Sequence, residues 1–226
     1  MPIHLAIRSS VLMKSKPVMF AFRPLLSWVE HRLFIEQYAV HSGDQVSREM
    51  LDAVIEGYLS SVDVVGCFDR QGRLSGGYVV APARLSRWRP RLSESTLGAL
   101  EPVVQTGLEL NFVWLDRALR GTRAASALWR HIARDLGSRK NAAITYSART
   151  DKAGLLRLYE TVSAEVLYEG PFAGLPGTYR LYRSTSLRFR LIPLTYFLRL
   201  LLRDVGLKRT GTAAGAPLSR PAASSD

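Results

Sequence analysis

The sequence has little of what disulfides, metal sites and membrane spans require. Cys67 is the single cysteine among 226 residues, so no disulfide can form within the chain, and a reducing, cytoplasmic compartment is the simplest expectation. The four histidines are scattered and form no cluster with cysteine, so we expect no metal site. No segment reaches the roughly 18–20 uninterrupted apolar residues of a transmembrane helix.

Acidic residues are also scarce relative to basic ones. The chain has 31 Lys and Arg residues against 19 Asp and Glu residues, a formal charge of +12. This charge indicates an anionic partner such as nucleic acid, an anionic membrane surface or a phosphorylated ligand. The chain has no helix-turn-helix pattern, zinc finger or RNP-like aromatic strand, which disfavours nucleic acid.

The spacing of apolar residues predicts a mixed α/β domain. In chain order, the predicted elements are helices at 24–38 and 47–59, a hairpin of strands at 62–68 and 74–80, a basic loop at 82–102, a strand at 108–115, a helix at 120–137, a strand at 142–148, a helix at 151–163, and closing strands at 165–169 and 178–182. The alternation of strands and helices after residue 108 favours a sheet with helices packed on it.

The stretch from Leu115 to Trp129 joins an apolar strand to an amphipathic helix through a basic turn. The first turn of a helix has backbone N–H groups without partners inside the helix, and the helix dipole adds positive charge there. The residues Arg120–Ser126 therefore form the best candidate phosphate site. A Walker lysine and a Rossmann triple glycine are both missing, which disfavours a nucleotide loop of either kind.

The order of hairpin, strand, basic turn, helix, strand and helix resembles the GNAT superfamily of acyl-CoA N-acyltransferases over roughly 62–182. The signature of that superfamily at the strand–helix junction is Arg/Gln-x-x-Gly-x-Gly/Ala. Here Arg120-Gly121-Thr122-Arg123-Ala124-Ala125 fits the first and last positions, but Arg123 replaces a glycine that lets a diphosphate approach the main chain. Arg123 either pairs with a phosphate itself or blocks the approach, and the sequence leaves both open.

A second motif, Leu155-Leu156-Arg157-Leu158-Tyr159-Glu160, is similar to the Asn-x-x-Ala-x-x-Leu-Tyr-Glu helix of the superfamily. The tyrosine of that helix commonly protonates the departing thiolate, and Tyr159 falls on its position. Lys152 and Leu155 replace the usual asparagine and alanine, so the resemblance rests on the Leu158-Tyr159-Glu160 end of the motif. Without the resemblance, Tyr159 could equally be a packed core residue.

The resemblance implies a central, mostly antiparallel sheet flanked by helices, and an N-acyltransferase that moves an acyl group to an amine. The implied donor is acetyl-CoA, a longer acyl-CoA or an acyl-carrier protein. Tyr159 is then the acid and Glu109 the candidate base, although Glu109 could also be a surface or salt-bridged residue, and an N–H near Trp114 and Leu115 would stabilise the oxyanion. The implied donor-binding residues are Leu115, Arg120, Gly121, Thr122, Arg123, Ala124, Ala125 and Ser126.

The two ends of the chain lie outside the acyltransferase-like domain predicted at 24–183. Residues 1–23 are an expected extension, residues 184–209 a basic amphipathic helix, and residues 210–226 an expected disordered tail. The apolar face of 194–205 suits either an anionic membrane surface, bound through 187–209, or docking on the chain's own domain. The alternative function is a non-catalytic basic module that binds membrane or nucleic acid on a degenerate acyltransferase-like fold.

Overall fold

A single sheet of seven strands forms the centre of the described part of the chain. The computed structural model describes residues 20–42, 59, 62–83, 88–104, 107–140, 142–162 and 165–191, all within the unit Met1–Pro193. The strands are β1 (Ala21–Pro24), β2 (Asp63–Phe68), β3 (Leu74–Pro82), β4 (Leu108–Leu115), β5 (Ala143–Arg149), β6 (Glu165–Pro171) and β7 (Thr178–Thr185). Their order across the sheet is β1-β2-β3-β4-β5-β7-β6.

Only one of the strand pairs in this sheet is parallel. β4 pairs parallel to β5, and every other neighbouring pair is antiparallel. The longer α-helices of the described residues are α1 (Trp28–Ser42), α2 (Glu94–Val104), α3 (Arg123–Ser138) and α4 (Ala153–Val162). A mixed α/β architecture with a mostly antiparallel sheet flanked by helices is therefore confirmed.

The β2–β3 hairpin has the position that the sequence predicts. Its turn is held by Asp69, whose Oδ1 accepts the N–H groups of Gln71 (2.9 Å) and Arg73 (3.0 Å). An aspartate that binds the backbone two residues ahead is a frequent device in tight turns. The local turn chemistry therefore explains why the prediction was right.

Helix α1 begins at Trp28, four residues later than the predicted start at Pro24. A capping box sets this start: Ser27 Oγ accepts the N–H of Glu30 (3.2 Å), and Glu30 Oε2 accepts the N–H of Ser27 (3.2 Å). The strand β1 precedes the helix and pairs with β2. It lies across the predicted boundary between residues 23 and 24.

The expectation of a loop over residues 82–102 is wrong for its second half, which forms α2. Ser93 Oγ accepts the N–H of Thr96 (3.3 Å) near the start of this helix. Leu97, Leu100 and Val104 recur at helical spacing and are buried. Pro102 lies inside the helix. Serines and prolines surround this short apolar stripe and are typical of loops, so the sequence did not predict the helix.

The two faces of the sheet bury different clusters. Helices α3 and α4 pack on one face, and the cluster there includes Leu128, Ile132, Tyr146, Tyr159 and Tyr182. α1 and α2 contribute to two clusters on the opposite face, because neighbouring strand residues alternate between the clusters. We call these the α3/α4 face and the α1/α2 face.

Residues 186–191 are helical and follow β7 directly. Phe189 is buried in the cluster of the α3/α4 face and attaches this segment to the core. The predicted helix at 47–59, except Leu59, the amphipathic stretch 194–205 and the tail 210–226 lie outside the described residues. Within the described ranges, no helix combines the length and the apolar character needed to cross a bilayer.

Candidate functional site

The parallel strands β4 and β5 separate after a short paired section. Cα partners join Leu108–Leu110 to Ile144–Tyr146, and the pairing ends there. Phe112 follows with φ +49°, and the register between β3 and β4 shifts at this point, so β4 carries a bulge. The bulge bends β4 and leaves a gap between the two strands.

A cavity of about 570 Å³ fills this gap and reaches both faces of the sheet. Leu128, Trp129 and Tyr159 line it on the α3/α4 face, while Tyr38, Phe112 and Tyr179 line it on the α1/α2 face. Its volume is within the usual range for small-molecule sites, about 300–1,000 Å³. The cavity therefore crosses the sheet where β4 and β5 separate.

The basic turn after β4 lies at one end of this cavity. Arg120 and Gly121 line the cavity, and Gly121 has φ +75°. Arg120 Nε donates to the carbonyl of Leu115 (3.1 Å), and its Nη2 donates to the carbonyl of His41 at the end of α1. Burial, more than the nearby Arg117, lowers the pKa of Arg120 from its ordinary value. The guanidinium is thus fixed between two chain segments at the cavity wall.

Thr122 caps the helix that follows the turn. Its Oγ1 accepts the N–H of Ala124 (3.1 Å) and donates to the carbonyl of Leu119 (2.6 Å). Ala125, in the first turn of α3, lines the cavity. The start of a helix with its N–H groups and positive dipole end therefore lies at the cavity.

The remaining residues of the predicted phosphate site have different places. The side chain of Arg123 is exposed and is not among the described residues that line the cavity. Ala124 is buried in the core, and Ser126 is half-buried beside it on α3 without lining the cavity. Arg123 is the first residue of α3, and the left-handed conformation of the turn falls on Gly121 instead. The arginine therefore leaves the cavity open.

Tyr159 lies on the cavity wall, close to the gap between β4 and β5. Its ring is 3% exposed and makes edge contacts with Tyr146 (4.5 Å between centroids) and Trp129 (5.9 Å). These contacts fix the ring, and the residue also lines the cavity. Its position is compatible with an acid that acts on a ligand in the gap.

Glu109 is buried behind the cavity rather than on its wall. Its side chain is 1% exposed, and its Oε2 accepts the amide Nδ2–H of Asn111 (3.3 Å). Asn111 lines the cavity, and Glu109 is not among the described lining residues. The predicted base is therefore connected to the cavity through Asn111, a residue that the sequence analysis did not single out.

One backbone N–H of β4 is directed into the gap. The N–H of Asp116 donates to the backbone carbonyl of Ser75 (2.9 Å). This bond makes the two residues a hydrogen-bonded pair that continues the antiparallel β3–β4 ladder. Bonding directions alternate along such a strand, so the N–H of Leu115 points away from β3 and towards β5. A donor at this point suits an oxygen that becomes negative during a reaction.

Charged residues on the cavity wall are all basic among the described residues. They are Arg120, Arg149 and Lys152. Arg149 ends β5, and Asp151 accepts two of its guanidinium N–H groups, Nε at 2.7 Å and Nη2 at 2.6 Å. The sequence analysis missed Arg149, because nothing local distinguishes it from the other arginines of this chain.

The single cysteine takes no part in this site. Cys67 is fully buried in β2, and burial raises the pKa of its thiol to about 12. A thiol with such a pKa is not a nucleophile at neutral pH. Within the described residues, no group of three or more His, Cys, Asp or Glu side chains could hold a metal ion.

Solved structures of acyltransferases share this fold. The chain matches FeeM, an N-acyl amino acid synthase from uncultured soil microbes, with a TM-score of 0.54 and 14% identity over 80% of this chain and 98% of that one. It matches spermidine N-acetyltransferase from Vibrio cholerae, solved with CoA and spermine, with a TM-score of 0.50 and 11% identity over 75% and 97%. The sequence matches no protein-family model and no curated protein. The described part of the chain has the GNAT fold, in a form that has diverged far from these structures in sequence.

Proposed function

We propose that this protein is an N-acyltransferase that moves an acyl group from a thioester donor to an amine. One observation carries the proposal: a single cavity joins the basic turn at the start of α3 to Tyr159 through the gap between β4 and β5. A phosphate site and a candidate acid for a departing thiolate are thereby connected. This is the arrangement that a phosphorylated thioester needs.

The proposed donor is acetyl-CoA, a longer acyl-CoA or an acyl-carrier protein. The N–H groups at the start of α3, with Arg120 beside them, suit its phosphate groups. The gap after Leu110 exposes strand edges that can pair with the amides of a phosphopantetheine arm. Coenzyme A and acyl-carrier protein both carry this arm, so these residues fit either.

The proposed reaction is a direct transfer without a covalent enzyme intermediate. The amine nitrogen attacks the thioester carbonyl carbon, the C–N bond forms, and the C–S bond breaks. The N–H of Leu115 stabilises the negative charge on the carbonyl oxygen, and Tyr159 donates its phenolic proton to the departing sulfur. Glu109 accepts the amine proton through water, because its carboxylate lies behind Asn111.

The alternative of a non-catalytic module rested on two departures from the superfamily pattern, Arg123 in place of a glycine and Lys152 in place of an asparagine. The exposed position of Arg123, away from the described cavity wall, weakens the first of these two reasons. Lys152 lies at the cavity beside α4, where the resemblance expects asparagine, and it adds positive charge.

Calorimetry and a thiol-release assay test the proposal. We expect acetyl-CoA or a longer acyl-CoA to bind, and Arg120→Ala to weaken the binding at least tenfold through the loss of charge-assisted hydrogen bonds. Arg130→Ala is the matched control, because Arg130 is exposed on α3, its Nε donates to the carbonyl of Ser126 one turn earlier (3.3 Å), and it is not among the described residues that line the cavity. If acyl-CoAs and acyl-carrier proteins all fail to bind, the proposal is wrong.

We further propose a cytoplasmic location with attachment to an anionic membrane surface through 187–209. Leu187 and Leu191 are 64% and 49% exposed and lie four residues apart, on one side of the helical residues 186–191. In flotation with anionic vesicles, more of the full chain than of a truncated form, residues 1–193, should rise with the vesicles. The truncation must keep Phe189, because this residue is part of the core. Equal flotation of both forms contradicts the proposal.

A further inference from the structure

We propose that the amine acceptor carries a carboxylate, and that Arg149 binds this carboxylate inside the cavity. The inference rests on the proposed function, because it names the class of acceptor for the same site. It arises from the sign and the placement of the charges around the cavity. It requires no metal ion and no additional reactant.

Arg149 lies on the acceptor side of the gap. Tyr146 and Ala148 of β5 belong to the cluster of the α3/α4 face, so Ser147 and Arg149 point to the opposite face. In the β5–β7 ladder, Arg149 is directly opposite Tyr179, which packs in the cluster that contains α2. The phosphate turn and Tyr159 lie with α3 and α4. An acceptor that approaches the thioester from the α1/α2 face therefore meets Arg149.

The charge around the cavity selects against a polycationic acceptor. Among the described residues that line the cavity, three are basic and none is acidic. Arg120 adjoins the start of α3 and Lys152 adjoins the start of α4, so we assign both to the donor side of the cavity. Arg149 is then the charge that faces the acceptor. These side chains would repel a polycationic acceptor more strongly than an acceptor that carries an anionic group.

The geometry of Arg149 suits a carboxylate. Asp151 is 57% exposed and holds the guanidinium by two hydrogen bonds of 2.7 and 2.6 Å, which fixes the plane of the group. A guanidinium has five N–H donors arranged for planar, bidentate contacts, and Asp151 accepts two of them. The planar group at the cavity wall is therefore oriented before any ligand binds.

The wall next to Arg149 is aromatic. Trp88 and Tyr179 line the cavity, and Phe172 lies between them, stacked on Trp88 (4.5 Å between ring centroids) and tilted against Tyr179 (4.8 Å). Such a wall gives an apolar side chain of the acceptor a surface to bury. The acceptor class that fits is an amine with both a carboxylate and an apolar body.

Two acceptors of nearly equal shape test the inference. L-phenylalanine carries a carboxylate, and L-phenylalaninamide replaces it by an uncharged amide. Calorimetry on the full chain saturated with CoA measures the binding of each, and release of free thiol from an acyl-CoA measures kcat/KM, expressed per concentration of unprotonated amine. We expect a preference of about 10- to 100-fold for L-phenylalanine in both measurements, and weaker binding of spermidine.

Arg149→Gln should reduce this preference to near one, chiefly through KM. Arg149→Gln with Asp151→Asn should give the same result, which excludes an effect of an unpaired aspartate. Arg183→Gln is the matched control, because Arg183 also pairs with an exposed acid, Glu165 (3.8 Å), but does not line the cavity. This variant should keep the preference of the wild-type protein.

The outcomes separate this inference from the proposed function. Equal binding of the two acceptors, no measurable binding of either, or an unchanged preference in Arg149→Gln overturns the inference. Acyl transfer without a carboxylate preference leaves the proposed function intact. A carboxylate preference in binding without any acyl transfer supports the site at Arg149 and overturns the proposed function.

Discussion

Two glycines with nearly equal φ allow the proposed phosphate site to be tested against a matched control. Gly121, in the turn before α3, has φ +75°, and Gly72, in the β2–β3 turn, has φ +76°. A Cβ added at either position meets no atom within 4 Å. Replacement by alanine therefore strains the backbone equally at both sites and makes no clash with the rest of the chain.

The expected loss of stability is the same for Gly72→Ala and Gly121→Ala. A left-handed conformation costs an ordinary residue about 1–2 kcal/mol. For a chain of this length, each kcal/mol lowers Tm by about 2–4 °C. Thermal unfolding followed by circular dichroism measures this loss in both variants. The two shifts in Tm should agree within the error of the experiment.

Donor binding should distinguish the two variants. A methyl group at Gly121 occupies the wall of the cavity where a diphosphate would approach the main chain. The loss of one or two charge-assisted hydrogen bonds raises Kd for CoA about 10- to 100-fold, and Gly72→Ala should leave Kd unchanged. Equal Kd values for both variants would show that the diphosphate does not bind at this turn.

The remaining predictions concern the acid, the base and the first helix. Tyr159→Phe should lower kcat about 10²- to 10⁴-fold in the thiol-release assay and leave the Kd of the donor nearly unchanged, and unchanged turnover would remove Tyr159 from the mechanism. Glu109→Gln and Asn111→Leu should each lower kcat/KM for the amine, and their double variant should lose less than the product of the two effects, since the side chains share one hydrogen bond; multiplicative effects would show that they act separately. The pKa of Glu30 is lowered to about 2 by the N–H of Leu26 and by Arg23, so its stabilising effect is complete above about pH 4.5 and is lost as the pH falls towards 2. Glu30→Gln should therefore cost about 1 kcal/mol in urea unfolding at pH 7, and the difference should shrink by pH 3; a cost independent of pH would contradict the capping role.

Local patterns were sufficient for most of the elements. β4 has the predicted bounds, because six of its eight residues are apolar and the run ends at Asp116, whose side chain caps the next turn. The β2–β3 hairpin was predictable from the turn residues around Gly72. The start of α1 was predicted too early because the capping box of Ser27 and Glu30 competes with the apolar spacing from residue 24.

The candidate site was predictable only in part. The basic turn and Tyr159 each lie in a short sequence motif that can be identified from the chain alone. The structure places both at one cavity. Asn111 and Arg149 could not be identified in this way. Their importance depends on the gap between β4 and β5, which brings together residues that are 38 positions apart.

The placement of Arg123 was also not predictable from the sequence. From the sequence, an arginine in place of glycine could either assist or exclude a phosphate. The structure places the left-handed residue at Gly121 and leaves the Arg123 side chain exposed, away from the described cavity wall. Arg123 therefore does not line the described cavity, and its contact with a phosphate stays a prediction.

The sequence by itself determined the β2–β3 hairpin, the order of strands and helices from residue 108 onward, the positive charge and the position of the basic turn. These properties depend on neighbours within a few residues, where propensity, turn chemistry and capping act. Only the tertiary structure decided that β4 bends at Phe112 and separates from β5 after Leu110. That separation depends on the pairing of β4 with two different strands, β3 and β5, whose residues are distant in the chain. The cavity, and with it the choice of residues that can meet a ligand, follows from this pairing.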